Sequence, residues 1–96
     1  MKLAYSREAR DDLVRLRAFI AEHDAAAAER SAGRLLQGIG RLMRHPQLGR
    51  QVRIAPEELA PEEIRDWVVA AYVVRYLVLD DHVVVLRIWH EKVNRP

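Results

Sequence analysis

The chain has 96 residues, a length that makes one domain, residues 1–96, with a thin core. Half of the residues are hydrophobic and none is cysteine, which excludes a disordered tail, disulfides, thiolate metal sites and a cysteine nucleophile. The net charge of +2 conceals an asymmetry: residues 1–53 carry +5 and residues 54–96 carry −3, and from Arg30 to Arg53 there are six arginines and no acid. A basic half of this kind suits an anionic partner, either nucleic acid or an acidic protein segment. Abundant arginine is also ordinary in alanine-rich chains. No apolar run approaches the ~20 residues that span a bilayer. The opening MKLAYSREAR lacks the apolar stretch of a signal peptide. The expected location is the cytoplasm.

KLAYS at the start reads as a short strand, and Ser6 can cap a helix that begins after it. From Arg7 to His23 the residues Ala9, Leu13, Leu16 and Ile20 recur at steps of four, three and four, the stripe of an amphipathic helix. Val14, Ala18 and Ala21 fall on its outer side as a small apolar patch. Asp24 caps a second helix expected from about Ala25 to Arg44, with Ala28, Ala32, Leu35, Ile39 and Leu42 inward. Arg30, Arg34, Arg41 and Arg44 cluster on the opposite side. Gly33, Gly38 and Gly40 weaken that helix by about 1 kcal/mol each. The two helices form an antiparallel hairpin. HPQLGR stops the second helix at Pro46, QVRIA suits a short edge strand, and PEELAPEE is an acidic loop. Residues 64–90 are rich in Val, Ile, Tyr and Trp, and DDH is the best turn among them. Strand, helix, helix, then three or four strands make an α+β domain, a helical hairpin on a mostly antiparallel twisted sheet.

If DDH is the loop, Leu79 pairs with Val83, Arg75 lies opposite Arg87, and Tyr72 lies opposite His90. One sheet face then carries Val73, Arg75, Leu77, Val85, Arg87 and Trp89. The other carries Val74, Tyr76, Val78, Val84, Leu86 and Ile88, and this uncharged face packs on the helices. A one-residue slip would bury an unpaired arginine, at a cost of several kcal/mol. Arg75 and Arg87 are then either a solvated pair or an anion or partner site flanked by Val85 and Trp89. Asp66 reaches Arg75 if Ala70–Ala71 is a tight turn.

Ser6, Ala9, Asp12 and Leu13 at the first helix, Pro46, Gly49 and Arg50 before the sheet, Arg65 opening a strand, Tyr72, Val74 and Tyr76, and finally Leu86, Arg87, Ile88 and His90 resemble the pattern of the RelE/ParE superfamily of bacterial toxins. These are the toxins of type II toxin–antitoxin modules. The resemblance covers nearly the whole chain and implies the RelE-like strand–helix–helix–sheet fold. RelE-like members cleave mRNA on the ribosome, and ParE-like members inhibit DNA gyrase. Metal-free RNA cleavage needs a base, an acid and cations for the phosphorane charge. RelE-like enzymes carry lysines after the strand-opening arginine, where this chain has Asp66, Trp67, Val68 and Val69. They carry an arginine where this chain has Val73, and a tail tyrosine that Glu91 to Pro96 lacks. His90 matches a histidine of some ribosome-dependent members but would act almost alone, so it is read as a strand-end histidine bonded to backbone or Tyr72.

The resemblance therefore points to the ParE branch, to gyrase as target and to neutralisation by the C-terminal segment of a cognate antitoxin in a hetero-oligomer. A ribosome-dependent endonuclease and a non-toxic antitoxin-binding relic are the alternatives. Residues expected to meet target or antitoxin are Arg65, Arg75, Arg87, Trp89, His90 and Lys92 on the sheet, and Arg34 and Arg41 on the second helix. The arginine face of that helix is either solvated or meets an acidic antitoxin segment. His23, His45, His82 and His90 are scattered without metal-ligand spacing, and no glycine-rich phosphate loop occurs, so no metal and no cofactor are expected. Sequence-specific binding of nucleic acid and membrane association are likewise not expected.

Overall fold

The computed structural model describes residues 1–22, 24–52 and 63–92. The elements are β1 (Lys2–Tyr5), α1 (Arg7–Ala21), α2 (Ala25–Arg41), β2 (Arg50–Gln51), β3 (Glu63–Val69), β4 (Tyr72–Val78) and β5 (His82–His90). They form one five-stranded sheet in the order β1-β5-β4-β3-β2, with β1 parallel to β5 and the other pairs antiparallel. The α+β expectation holds, with β1 and β2 as short edge strands. The acidic loop at 56–62 and most of QVRIA lie outside the described residues. No described helix is long and apolar enough to cross a membrane.

Local chemistry sets both helix starts. The Ser6 hydroxyl accepts the Ala9 N–H at 3.0 Å, and the Asp24 carboxylate accepts the N–H groups of Ala26 and Ala27. Such caps satisfy amide groups that have no partner in the first turn. The helical hairpin covers one sheet face. Ala9, Leu35, Ile39 and Leu42 meet Tyr72, Val74, Tyr76, Val83, Val85 and Ile88 in one core cluster. Gly38 sets how closely α2 approaches the sheet, because a Cβ there would lie 2.2 Å from a Val69 methyl.

The β4–β5 hairpin departs from the expected register in one half. Arg75 does face Arg87, and Tyr72 faces His90, but beyond that point Tyr76 pairs with Val85 and Val78 with Val83. The chain turns more tightly than expected at Asp80–Asp81, where the Leu79 N–H donates to the His82 carbonyl at 2.8 Å. A β-bulge then leaves Leu86 without a cross-strand partner and restores the phase. Val83 and Val85 are consequently fully buried, while Val84 and Leu86 are half-exposed. This reverses the expected facing of Val84, Val85 and Leu86. Ile88 stays inward, as expected.

Ala70 and Ala71 form the tight β3–β4 turn with φ of 53° and 70°. Both need the left-handed region that a two-residue hairpin with the twist of its strands requires. For alanine this costs roughly 1–2 kcal/mol per residue. Ala71 is the exposed member of the pair. Ala71→Gly is expected to stabilise the fold by about 0.5–1 kcal/mol, because relief of strain exceeds the extra chain entropy of glycine. A rise in the urea midpoint at unchanged slope is the measurement that checks it.

Candidate functional site

The polar chemistry of the molecule converges where α1 crosses β5. Asp12 is 4% exposed, yet every acceptor position of its carboxylate is engaged. Arg87 donates through Nε to Oδ2 at 2.9 Å and through Nη2 to Oδ1 at 3.1 Å. The Ile88 backbone N–H donates to Oδ2 at 2.9 Å, and Arg15 to Oδ1 at 2.5 Å. Desolvation alone would raise the Asp12 pKa. The hydrogen bonds from Arg87 and Ile88, with the positive charges of Arg87 and Arg15, outweigh it and hold the carboxyl below its ordinary range. In turn the Asp12 carboxylate raises the Arg87 pKa, against the smaller effect of desolvation. One turn earlier the Ser6 hydroxyl donates to the Leu86 carbonyl at 2.8 Å. Ser6 and Asp12 thus take up backbone groups of β5 beyond Val85, where its pairing with β1 ends.

The expected arginine pair is therefore corrected. Arg75 and Arg87 are Cα neighbours, but neither is merely solvated, and Val85 is too deep to flank a site. Arg87 bonds to α1. Arg75 makes a two-pronged bond to Asp66 at 2.8 and 2.9 Å, as the tight Ala70–Ala71 turn permits, and its guanidinium lies 5.1 Å from the centre of the Trp89 ring. Like charges facing each other across a ladder are unfavourable. Here each has its own carboxylate.

Arg65 donates to the Gly49 carbonyl at 2.6 Å, and so fastens the loop after α2 to β3. In the same loop the Tyr76 hydroxyl accepts the Gly49 N–H at 2.8 Å and donates to the Pro46 carbonyl at 2.6 Å. His90 meets Tyr72 edge-on, with ring centres 5.4 Å apart, and its Nδ1 accepts the Lys92 N–H at 3.2 Å. That is the strand-end arrangement expected of it. Burial raises the Tyr72 pKa. Arg41 stacks over Trp67 at 5.5 Å, and Arg34 is exposed on α2. The sheet residues Arg75, Arg87, Trp89 and His90 gather near the end of β5, whereas Arg34 and Arg41 belong to α2, and Arg65 sits at the Gly49 loop. No group of metal-ligating side chains occurs among the described residues.

Asp12 is the residue that sequence reasoning undervalued. Its signal was indirect: an arginine inside the apolar run of β5 demands a carboxylate, and Asp12 borders the inward stripe of α1. Two grooves flank α1. One, of about 540 Å³, lies between α1 and the end of β5 and is lined by Arg15, Phe19, Tyr72, Arg87 and His90 among others. The second, of about 160 Å³, is apolar and runs between α1 and α2 along Leu13, Val14, Leu16, Ile20, Leu35 and Leu36. Val14 and Phe19 are 69% and 63% exposed, so apolar surface borders both grooves.

A helical hairpin seated on a five-stranded sheet, with charged residues beside its surface grooves, defines a small α+β domain. The same fold occurs in a chain of the chromosomal ParDE TA system from P. aeruginosa, which superposes with a TM-score of 0.75 at 16% identity over 94% of this chain and 95% of that one. No curated protein sequence matches the chain. The family model of the ParE toxin of type II toxin-antitoxin system, parDE, matches residues 3–94, and the chain belongs to this ParE toxin family.

Proposed function

We propose that the chain inhibits DNA gyrase and is neutralised in a hetero-oligomer by the C-terminal segment of a cognate antitoxin. The observation that carries this reading is membership of the ParE toxin family across residues 3–94. Gyrase as target also makes the cytoplasm its place of action. The state of the two residues best suited to phosphate chemistry supports the reading. Arg87 is held by Asp12, and the Nδ1 of His90 is engaged by the Lys92 backbone. The antitoxin segment seats its apolar side chains in the α1–α2 groove, the one groove among those described whose lining is dominated by aliphatic residues. Arg75, Trp89 and Lys92 remain as candidates for contact with the target.

Inhibition of gyrase supercoiling by the purified chain tests the target, with ribosome-dependent mRNA cleavage assayed in parallel. Cleavage without gyrase inhibition would sink the proposal. His90→Ala is expected to leave gyrase inhibition at the wild-type level, and its loss in a folded variant would restore a catalytic role for His90. Leu36→Asp, at an exposed position of the groove, is expected to abolish antitoxin binding in a pull-down while inhibition persists.

A further inference from the structure

Arg30, Arg34 and Arg41 lie on α2 and Arg44 in the turn after it, and all four are exposed. At 100° per residue they share one stripe with Gly33 and Gln37. At ~1.5 Å per residue, the distance from Arg30 to Arg41 is roughly 16 Å. Their setting differs from that of four other arginines. Arg15, Arg17, Arg75 and Arg87 are each bonded to a carboxylate. Among the described residues, Arg30, Arg34 and Arg44 have no ion-pair partner. Arg41 is steadied by the Trp67 ring beneath it.

The glycines of α2 add a second observation. Gly38 is explained by Val69, but a Cβ on Gly33 or Gly40 would meet nothing within 4 Å. Glycine weakens a helix, and no packing among the described residues accounts for these two. They leave bare backbone beside the arginines. The exposed apolar residues Val14 and Leu36 line the α1–α2 groove instead and do not enter the stripe. A segment anchored by apolar side chains therefore belongs in the groove. The stripe fits a partner recognised by charge alone that comes close to the helix backbone.

We infer that this stripe docks the phosphate backbone of duplex DNA without reading its sequence. A guanidinium fork matches phosphate oxygens in two-pronged geometry, which suits arginine over lysine. Duplex DNA carries one phosphate per strand for each ~3.4 Å of its axis, so phosphates are dense enough along roughly 16 Å for each of the four arginines to find one. An acidic peptide that binds a helix face relies on apolar anchors beside its charges, and this stripe offers none. The inference goes beyond the gyrase reading and holds whichever enzyme the toxin inhibits.

Fluorescence anisotropy of the purified chain with labelled duplexes of about 20 base pairs, in three unrelated sequences, tests it. At about 50 mM salt the three are expected to bind equally, with log K falling against log salt at a slope of about −3, as for three to four phosphate contacts. Arg30→Glu with Arg34→Glu is expected to weaken binding about tenfold or more, while Arg30→Lys with Arg34→Lys retains most of it. This pair leaves the Arg41–Trp67 contact intact, and an unchanged circular dichroism spectrum confirms folding. Arg7→Glu with Arg10→Glu, at exposed positions on α1, is expected to change binding by about twofold at most. Three results overturn the proposal. They are no salt-dependent binding, equal loss from the α1 and α2 pairs, and capture of poly-glutamate by the stripe with no binding of DNA.

Discussion

Asp12→Ala is expected to lower stability by about 3 kcal/mol and to move the urea midpoint down by about 2 M. The largest part comes from the Ile88 N–H, which sits in the core and has Asp12 as its acceptor. An orphaned buried amide costs about 1–3 kcal/mol. The loss of Arg87 adds less, because its side chain is 37% exposed and water screens the unpaired charge. Asp12→Asn is expected to cost somewhat less, since an amide oxygen in the place of Oδ2 can still accept from Arg87 Nε and the Ile88 N–H while its NH₂ confronts the other donors. The two variants also separate in acid. The folded-state pKa of Asp12 lies below its unfolded value. Its contribution is therefore fully present above the unfolded pKa of ~3.9 and is lost as pH falls through the lower folded value. Wild-type stability is expected to fall below about pH 4 with a component that Asp12→Asn lacks. Urea titrations of both proteins between neutral and acid pH measure it. Identical pH curves would show that Asp12 does not carry that component.

Ser6 and Asp12 explain why so much of the fold was legible in the sequence while the hairpin register was not. Helix stripes depend on local periodicity, and Ala9, Leu13, Leu16 and Ile20 define the inward face of α1 without reference to anything else. The cap at Ser6 is equally local. Strand facing in β5 depends on where one extra residue is inserted, and nothing in VVVLRIWH marks Leu86 as that residue. The bulge is stabilised by side chains about eighty positions away, Ser6 to the Leu86 carbonyl and Asp12 to the Ile88 amide. The slip that would bury an unpaired arginine is confined to the half of the hairpin beyond Arg75 and Arg87, which keep their expected register, so neither arginine is turned inward by it. The same remoteness hid the candidate site. The opposed pair Arg75 and Arg87, and Asp66 as the partner of Arg75, are legible in the sequence, but the Asp12 partner of Arg87 follows from three-dimensional placement. Ala70–Ala71 does form the tight turn on which the Asp66–Arg75 contact depends. Its residues are poor formers of a left-handed turn, yet the seven paired positions of β3 and β4 on either side hold them there.

The loop between α2 and β2 closes around Gly49, and Gly49→Ala is expected to destabilise the protein by about 3 kcal/mol. The reason is space and not backbone freedom, since Gly49 does not adopt positive φ. A Cβ would lie 2.8 Å from both the Asp66 carbonyl and the Tyr76 hydroxyl. The hydroxyl belongs to a side chain that is fully buried, and the carbonyl belongs to the paired backbone of β3, so neither can retreat cheaply. Tyr76→Phe attacks the same knot from the other side. It deprives the buried Gly49 amide of its acceptor and the Pro46 carbonyl of its donor, for an expected loss of about 1–3 kcal/mol. The double variant is expected to cost less than the sum, by about 1 kcal/mol, because an alanine at 49 already pushes the amide away from the hydroxyl. It should still fall well below Tyr76→Phe alone, since removing the hydroxyl leaves the contact with Asp66 in place. Urea unfolding of the four proteins measures the coupling. Strict additivity would mean that the Tyr76 hydroxyl plays no part in the cost of an alanine at 49, which would then fall on the Asp66 carbonyl and the Tyr76 ring carbon that Tyr76→Phe keeps.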